Sequence, residues 1–570
     1  LTFSLAFISY LKQAGIKMTQ MVFEQHKFSG GELSQITTAY IDQYPIVYIL
    51  YNRNEKNRPT AYIGQTVQVD KRMRAHLKDS KRKGLTDTLL IGNEKFNQSA
   101  TYNIETNLIN HFIGDEKFKL QNVSQTRQIQ THGYYDKNYY DTILFNEIWE
   151  YLRQNGLADN SSDVIQNKDI YKVSPYKELS PKQLEIKNEI IEYCKKSIDS
   201  TKEKVFMIEG EAGTGKSVVL ASLYNTLQDL AKDKTSSISG TDNYLLVNHG
   251  EMIKTYHSIA ESLPNLKKNH ILRPTSFINE MDKKGKKADI VLIDEAHLLL
   301  TKEDHYNNFY YKNQLEEIIK RSKITIFIFD PKQILRTKSY WTKGLMEQID
   351  QQYGFEHYSL TDQFRMKSSE DTLKWIDNFH SKKISKLPKS TEDYSFEIMP
   401  SPESLKEKIE TLDKKVGLAR IVSVFDYLHK KDQKTYYVDE DGLHMPWNTT
   451  ESKTTWAERA DTIEEVGSIY TVQGFDLNHV GVFLGPSIDY DQKTDSLVID
   501  ISKYKDTGAF MGREDLSKGE LLKCKEEIIL NSLNTLMKRS IHGIYIYAVN
   551  ESLRNRLLEL QERRDAETNY

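Results

Sequence analysis

The octapeptide Gly210-Glu211-Ala212-Gly213-Thr214-Gly215-Lys216-Ser217 constrains the fold of this chain more than any other stretch. It follows the apolar run Val205-Phe206-Met207-Ile208 and precedes Val218-Val219-Leu220, so the order is strand, glycine loop, helix. That is the setting of a phosphate-binding P-loop. The glycines let backbone N–H groups wrap a polyphosphate, and the helix N-terminus adds a favourable dipole. Lys216 is placed to reach the β- and γ-phosphates, and the Ser217 hydroxyl to hold Mg²⁺. A chance glycine turn would not carry both flanks. The expected cofactors are ATP and Mg²⁺.

At 570 residues the chain has room for about three or four domains. Its 38% hydrophobic and 28% charged residues describe a globular protein. A net charge of −3 does not announce a polyanionic partner, so any nucleic-acid surface must be local. Cys194 and Cys524 lie far apart, without a CxxC or Cys/His cluster. This argues against structural zinc and fits a reducing, cytoplasmic compartment. No apolar run reaches the roughly 18 residues that would span a membrane. The first segment, Thr2 to Leu11, is apolar but lacks the basic flank of a signal peptide. It reads as a helical extension, or as sequence upstream of a start at Met18 or Met21.

The pattern divides the chain into an extension (1–43), a compact α/β block (44–155), a polar linker (156–177) and two sheet-forming blocks (178–345 and 346–570). In the last two, apolar strand-like runs alternate with amphipathic helices, as in parallel α/β sheets. Strands are predicted at 205–209, 244–248, 290–294 and 324–330, then at 418–424, 467–472, 480–484, 497–501 and 543–549.

The run Val291-Leu292-Ile293 ends in Asp294-Glu295. Asp294 can complete the Mg²⁺ shell, and Glu295 can orient and deprotonate the attacking water. Gln333, just beyond another strand end, can sense the γ-phosphate, and Gln183 can read the adenine edge. The cluster Lys283 to Lys287 reads as a solvated loop, and no large strand-separating insertion is evident.

Taken in order, Gln183, the P-loop, Leu292 to His297, Phe329 to Gln333, Gln363-Phe364-Arg365, Tyr470 to Asp476 and Leu536 to Arg539 resemble the motif series of superfamily-1 helicases. More closely, residues 178–550 resemble a bacterial family of P-loop ATPases related to the helicase portion of Schlafen proteins. Gly417-Leu418-Ala419-Arg420 and Pro446-Trp447-Asn448 add to the likeness. The resemblance implies that Arg365 and Arg539 are arginine fingers from the second lobe. It also implies that Gln473 and Asp476 couple the nucleotide to the nucleic-acid groove, with Gln473 and Gly474 among the nucleotide-binding residues. Where the family has Thr-Arg-Ala, this chain has Lys538-Arg539-Ser540.

The block 44–155 opens with two strand-like runs, Val47 to Tyr51 and Ala61 to Gly64, joined by a polar loop as a hairpin. A basic helix, Asp70 to Lys83, and a second helix over about 102–113 follow. Together they gather phenols, a guanidinium and a carboxylate, groups able to cleave a phosphodiester with one divalent ion. This resembles the GIY-YIG nucleases. Tyr48 falls at the first tyrosine, and Tyr62-Ile63-Gly64 is the second motif intact. Arg72, His76 and the metal ligand Glu105 follow in order, and Asn122 falls near a late Asn. Ile46 replaces the first-motif glycine.

The expectation is an α/β chain: a small GIY-YIG-like domain followed by two RecA-like parallel-sheet lobes. Its function would be an ATP-dependent nucleic-acid motor joined to an Mg²⁺- or Mn²⁺-dependent endonuclease. DNA is favoured over RNA, and defence against foreign DNA is the role the resemblance suggests. Two rivals are a regulatory ATPase with an inactive nuclease fold and an RNA-targeting nuclease–ATPase.

Overall fold

Strands that are buried on both faces read as continuous apolar runs, whereas half-buried strands alternate. Both patterns occur here. The structure, a computed structural model, describes residues 20–31, 36, 38–53, 58–123, 133–430, 432, 434–449, 456–472 and 476–568. Gln473 and Gly474 therefore lie outside the described residues, as does Met18. The chain forms two compact units. The first groups residues up to 185 with 221–233 and 254–269. The second groups 186–220, 234–253 and 270 onward.

The first unit is built on five strands: β1 (Met21–Lys27), β2 (Ile46–Tyr51), β3 (Thr60–Thr66), β4 (Asp87–Asn93) and β5 (Lys119–Leu120). Their order is β1-β4-β2-β3-β5, antiparallel except for the β3–β5 pair. Alternation decides the faces. Ile46, Tyr48 and Leu50 pack with Val69 and Met73 of the helix Val69–Lys78. The helix Gln98–Asp115 is capped by Asn97, whose side chain accepts from the Ala100 N–H at 2.9 Å.

Three sequence expectations change in this unit. The stretch before residue 44 supplies β1, paired along its length with β4. The basic helix expected to reach Lys83 stops at Lys78. Asp79 then accepts from the Lys81 N–H and starts a separate short turn. The stretch 156–177 is folded, with helices Ser162–Asn167 and Asp169–Lys172. Its polar composition hides the anchors Ile165, Ile170, Tyr171 and Tyr176, all buried. Gly114 admits them: a Cβ there would sit 2.5 Å from Ile165 Cγ2.

The second unit holds two sheets. The first comprises β6 (Lys204–Gly210), β7 (Asn243–Val247), β8 (Ile271–Leu272), β9 (Ala288–Asp294), β10 (Ser322–Phe329) and β11 (Phe355–Leu360). Its order is β11-β6-β10-β9-β7-β8, with every pair parallel. The four predicted strands are present. β8 and β11 are additional, and β11 carries the first lobe past residue 345.

The second sheet comprises β12 (Ser395–Ile398), β13 (Ala419–Ser423), β14 (Tyr436–Glu440), β15 (Leu443–Trp447), β16 (Val466–Gly467), β17 (Leu477–Leu484) and β20 (Ser540–Ala548). Its order is β12-β20-β17-β13-β16-β15-β14, and only the β14–β15 pair is antiparallel. The stretch predicted as a strand at 467–472 is instead the last residue of β16, Gly467, and a helix, Ile469–Val472. The Thr471 hydroxyl accepts from the Ser468 N–H at 2.8 Å and turns the chain there. The stretch predicted at 497–501 pairs in a side hairpin, β18 (Ile488–Asp491) with β19 (Ser496–Ile499), and not in the main sheet. The architecture is mixed α/β: a small five-stranded domain, followed along the chain by two largely parallel sheets.

Candidate functional site

In the first unit the register sets the site. Tyr48 on β2 faces Gly64 on β3, and its ring crosses the space that a side chain at Gly64 would fill. A Cβ at that glycine would lie 2.3 Å from the Tyr48 hydroxyl oxygen. That hydroxyl is 2.7 Å from His76 Nε2, and Arg72 Nε donates to it at 3.0 Å. The terminal nitrogen of Arg72 reaches the Tyr62 hydroxyl at 3.4 Å. One guanidinium thus ties two phenols, with the imidazole behind the first.

Burial and the neighbouring Arg72 hold His76 down to about 4, so it is neutral near pH 7. With Arg72 donating to the phenol oxygen, the Tyr48 O–H is the donor to His76. Burial pushes the Tyr48 phenol well above its ordinary value. Glu105 is buried on the helix Gln98–Asp115, and its charge reaches Tyr48. Asn122 clasps β3. It accepts from the Ile63 N–H at 3.1 Å and donates to the Ile63 carbonyl at 2.8 Å.

Two residues were hidden from sequence reasoning. Arg82 looked like one more charge of a basic helix. The break at Asp79 turns it inward, 3.7 Å from the Tyr62 ring centroid, with a hydrogen bond to Gln121 Oε1 at 2.9 Å. Gly64 was legible only as part of a motif. Its reason is the phenol beside it.

In the second unit the carboxyl ends of β6, β10 and β9 are neighbours, the edge where open α/β sheets bind ligands. Gly213 and Gly215 take φ of 89° and 75°, which glycine adopts at little cost. Lys216 Nζ is held by the Gly210 carbonyl at 2.5 Å, the Glu211 carbonyl at 2.7 Å and Asp330 Oδ2 at 3.2 Å. The Ser217 hydroxyl donates to Asp294 Oδ1 at 3.2 Å, so the two expected Mg²⁺ ligands are already adjacent. Thr214 closes the loop by donating to the Glu211 carbonyl at 3.0 Å. Glu295 stands in the left-handed region at φ 54°, with its carboxylate 3.1 Å from His297 Nε2. His297 is wholly buried, and burial keeps it neutral.

Gln333 does not stand free at its strand end. Its amide donates to Asp330 Oδ2 at 2.6 Å. Asp330, which the sequence did not single out, is fully buried between Gln333 and Lys216. Burial pushes its carboxyl up, but the Lys216 charge and the hydrogen bond from Gln333 outweigh that and hold it below the usual range.

Gln363 donates to the Ala212 carbonyl at 2.7 Å, and the Phe364 N–H to the Gly213 carbonyl at 2.9 Å. Arg365 pairs with Asp476 at 2.5 Å. Arg539 is buried, and its carbonyl accepts from the Leu477 N–H at 2.9 Å. Gln183, in the first unit, is occupied in capping the helix Pro181–Ser197. Its side chain accepts from the Ser180 N–H at 3.0 Å, and Ser180 Oγ accepts from its N–H at 3.3 Å. In the cluster 283–287, Lys284, Lys286 and Lys287 pair with Glu280, Asp242 and Glu203.

Among the described residues no group of three His, Cys, Asp or Glu side chains could hold a metal ion. Ser217 with Asp294, and Glu105 alone, still fit Mg²⁺, which keeps several waters and takes its other ligands from phosphate.

Residues 203–550 match the family described as Schlafen group 3, DNA/RNA helicase domain. Residues 44–112 match the GIY-YIG catalytic domain. An uncharacterised protein of Saccharomyces cerevisiae is 36% identical over 412 residues, 67% of this chain and 90% of the yeast protein. Among solved structures, the Pif1 helicase from Candida albicans is similar at 11% identity and a TM-score of 0.28, over 67% of this chain and 99% of that one. The Arterivirus nonstructural protein 10 helicase, in complex with DNA, is similar at 12% identity and a TM-score of 0.26, over 62% of each chain. At such scores the lobe architecture rests on the strand order given above. The helicase match spans more than half of the chain, and it makes this protein a helicase-like ATPase of the Schlafen group 3 DNA/RNA helicase family, with a GIY-YIG domain ahead of the helicase part.

Proposed function

We propose that the chain is an ATP-driven nucleic-acid motor joined to a metal-dependent endonuclease that cuts DNA. The observation that carries the nuclease half is the hydrogen-bonded chain Tyr62, Arg72, Tyr48 and His76, each linked to the next. An attacking water gives its proton to the phenol pair that Arg72 holds, and the Tyr48 proton passes to neutral His76. Arg72 offsets the charge that grows on the phosphorane. Glu105 would hold the divalent ion, Mg²⁺ or Mn²⁺, which supplies Lewis-acid help at the phosphate.

In the motor half, Gly210 to Ser217 cradle the phosphates, Ser217 and Asp294 hold Mg²⁺, and Glu295 takes the proton of the attacking water. Gln333 senses the γ-phosphate through Asp330. Arg365 and Arg539 contribute charge from the second lobe. Defence against foreign DNA is the role we favour. A cytoplasmic setting accords with two free, buried cysteines and with no helix among the described residues able to cross a membrane.

The test uses the purified chain with single-stranded DNA, duplex DNA and RNA, with Mg²⁺, Mn²⁺ or chelator, and with or without ATP. Metal-dependent cutting of DNA is expected, with Glu105→Ala and Arg72→Ala each slower by about 10²–10³-fold. Binding without cutting would leave a regulatory ATPase on an inactive nuclease fold. Cutting confined to RNA would move the substrate class.

A further inference from the structure

Four charged side chains close a ring beside the P-loop. Glu211 Oε1 pairs with Lys332 Nζ, and Glu211 Oε2 with Lys538 Nζ, both at 2.5 Å. Asp377 Oδ1 pairs with the same two lysines, at 3.0 and 2.9 Å. Glu211 and Lys332 belong to the first lobe. Asp377, on the helix Glu370–His380, and Lys538, ending the helix Lys518–Met537, belong to the second. The ring balances two positive charges with two negative ones. Its members are not equally placed. The side chains of Glu211 and Asp377 are each 41% exposed, whereas that of Lys538 is 1% exposed.

A buried ammonium with both contacts made to carboxylates is costly to strand, so its position is fixed by its partners. One of those partners is a P-loop residue whose own carbonyl holds Lys216. A polyphosphate that draws Lys216 away from that carbonyl meets the backbone of Glu211, the residue whose carboxylate holds Lys538. It brings more negative charge than the carboxylate, and a lysine binds phosphate as a compact point charge. Arg365, by contrast, is committed to Asp476.

We propose that Lys538 is a further second-lobe cation that meets the terminal phosphate of ATP, and that Glu211 holds it ready until nucleotide takes the place of the carboxylate. The inference rests on ATP hydrolysis at Lys216 and deepens that reading. It assigns the contact to the residue before Arg539, where the resembling family has a neutral threonine. Lys332 and Asp377 keep the ring's remaining pair when Lys538 leaves Glu211. The lobes therefore stay in register during the exchange.

The experiment compares wild type with Lys538→Met, Lys538→Arg and Glu211→Gln, all as the full chain with melting temperatures checked. ATP turnover is measured, together with binding of a fluorescent ADP with and without aluminium fluoride. Lys538→Met should lower kcat by about 10²–10³-fold, as loss of one preorganised charge does, with KM within about threefold. It should also lose the tightening that aluminium fluoride gives to bound ADP. Lys538→Arg should recover part of both. Glu211→Gln removes the competing carboxylate, so KM for ATP should fall. A folded Lys538→Met that turns over ATP within threefold of wild type would overturn the assignment. So would a Glu211→Gln variant whose KM rises, since that outcome makes the ring a clamp between lobes and nothing more. Wild type that neither hydrolyses ATP nor tightens with aluminium fluoride would overturn the ATPase reading together with this one.

Discussion

Single side chains explain why the motif residues are what they are. Gly64 is the plainest case, because a methyl there would meet the Tyr48 hydroxyl oxygen at 2.3 Å. Both strands are core, so neither yields without moving neighbours. Gly64→Ala should destabilise the first unit by about 1–3 kcal/mol, the usual cost of overpacking. Because the displaced atom is the one His76 and Arg72 hold, cutting should fall more than stability does. Melting and cleavage of the variant check this, and unchanged cleavage would show that the Tyr48 geometry is dispensable. His76 sets a second test. Its folded value of about 4 lies below the ordinary 6.5. Between those values the unfolded chain binds a proton that the folded chain refuses, so stability falls as pH drops through that window and is fully present above 6.5. The acid limb of the cleavage profile should accordingly lie nearer 4 than 6.5. A limb centred at 6.5 would mean that His76 titrates like an ordinary imidazole, and that burial and Arg72 do not keep it neutral.

At the scale of elements, legibility followed burial. β6, β9 and β10 were read correctly because strands covered on both faces are unbroken apolar runs. β11, with Glu356 and His357 exposed, alternates too weakly to announce itself, and it sits at the sheet edge. The stretch 156–177 misled for the opposite reason: Asn, Ser, Asp and Lys make up half of it, while a few well-spaced apolar residues do the packing. In the candidate sites, motif residues could be named from spacing. Asp330, Arg82 and Lys538 could not, because what marks them is the inward turn of a charge that sequence treats as solvated. Two helices of the ATPase portion carry a further consequence. Residues 221–233, from the helix Lys216–Lys232, and 254–269, from the helix Gly250–Ser262 and beyond, belong to the first unit. Within that unit Arg58 donates to Ser262 Oγ at 3.1 Å, and Tyr224, Leu227 and Ile259 are buried. A chain beginning at residue 178 keeps every ATP motif but strips these helices of partners. It should melt several degrees lower than the corresponding transition of the full chain and hydrolyse ATP more slowly. Equal melting and turnover would mean that the helices are self-sufficient.

For the whole molecule the same helix raises the question of coupling. Lys216 is its first residue, and from Ala221 onward it belongs to the unit that carries Tyr48, Arg72 and Glu105. An α-helix is a stiff rod with one hydrogen bond per residue, and displacing its first turn without its later turns means breaking that ladder. In the structure Lys216 is held by two P-loop carbonyls and Asp330. Triphosphate must compete with all three, so nucleotide binding rearranges the Lys216 side chain at the start of this helix. If that rearrangement changes how the first unit grips nucleic acid, linkage requires the converse: nucleic acid must alter nucleotide affinity by the same factor. The expected outcome is that ATP turnover rises when nucleic acid is added and that cutting responds to nucleotide. Lys216→Ala, which leaves Glu105 and Arg72 untouched, should change the rate or pattern of cleavage while abolishing turnover. The check is cleavage by wild type and Lys216→Ala with ATP, with a non-hydrolysable analogue and with no nucleotide. A difference that appears with the analogue would assign the coupling to binding, and one that needs ATP would assign it to hydrolysis. Identical rates and products in every reaction would mean that motor and nuclease share a helix without sharing a signal.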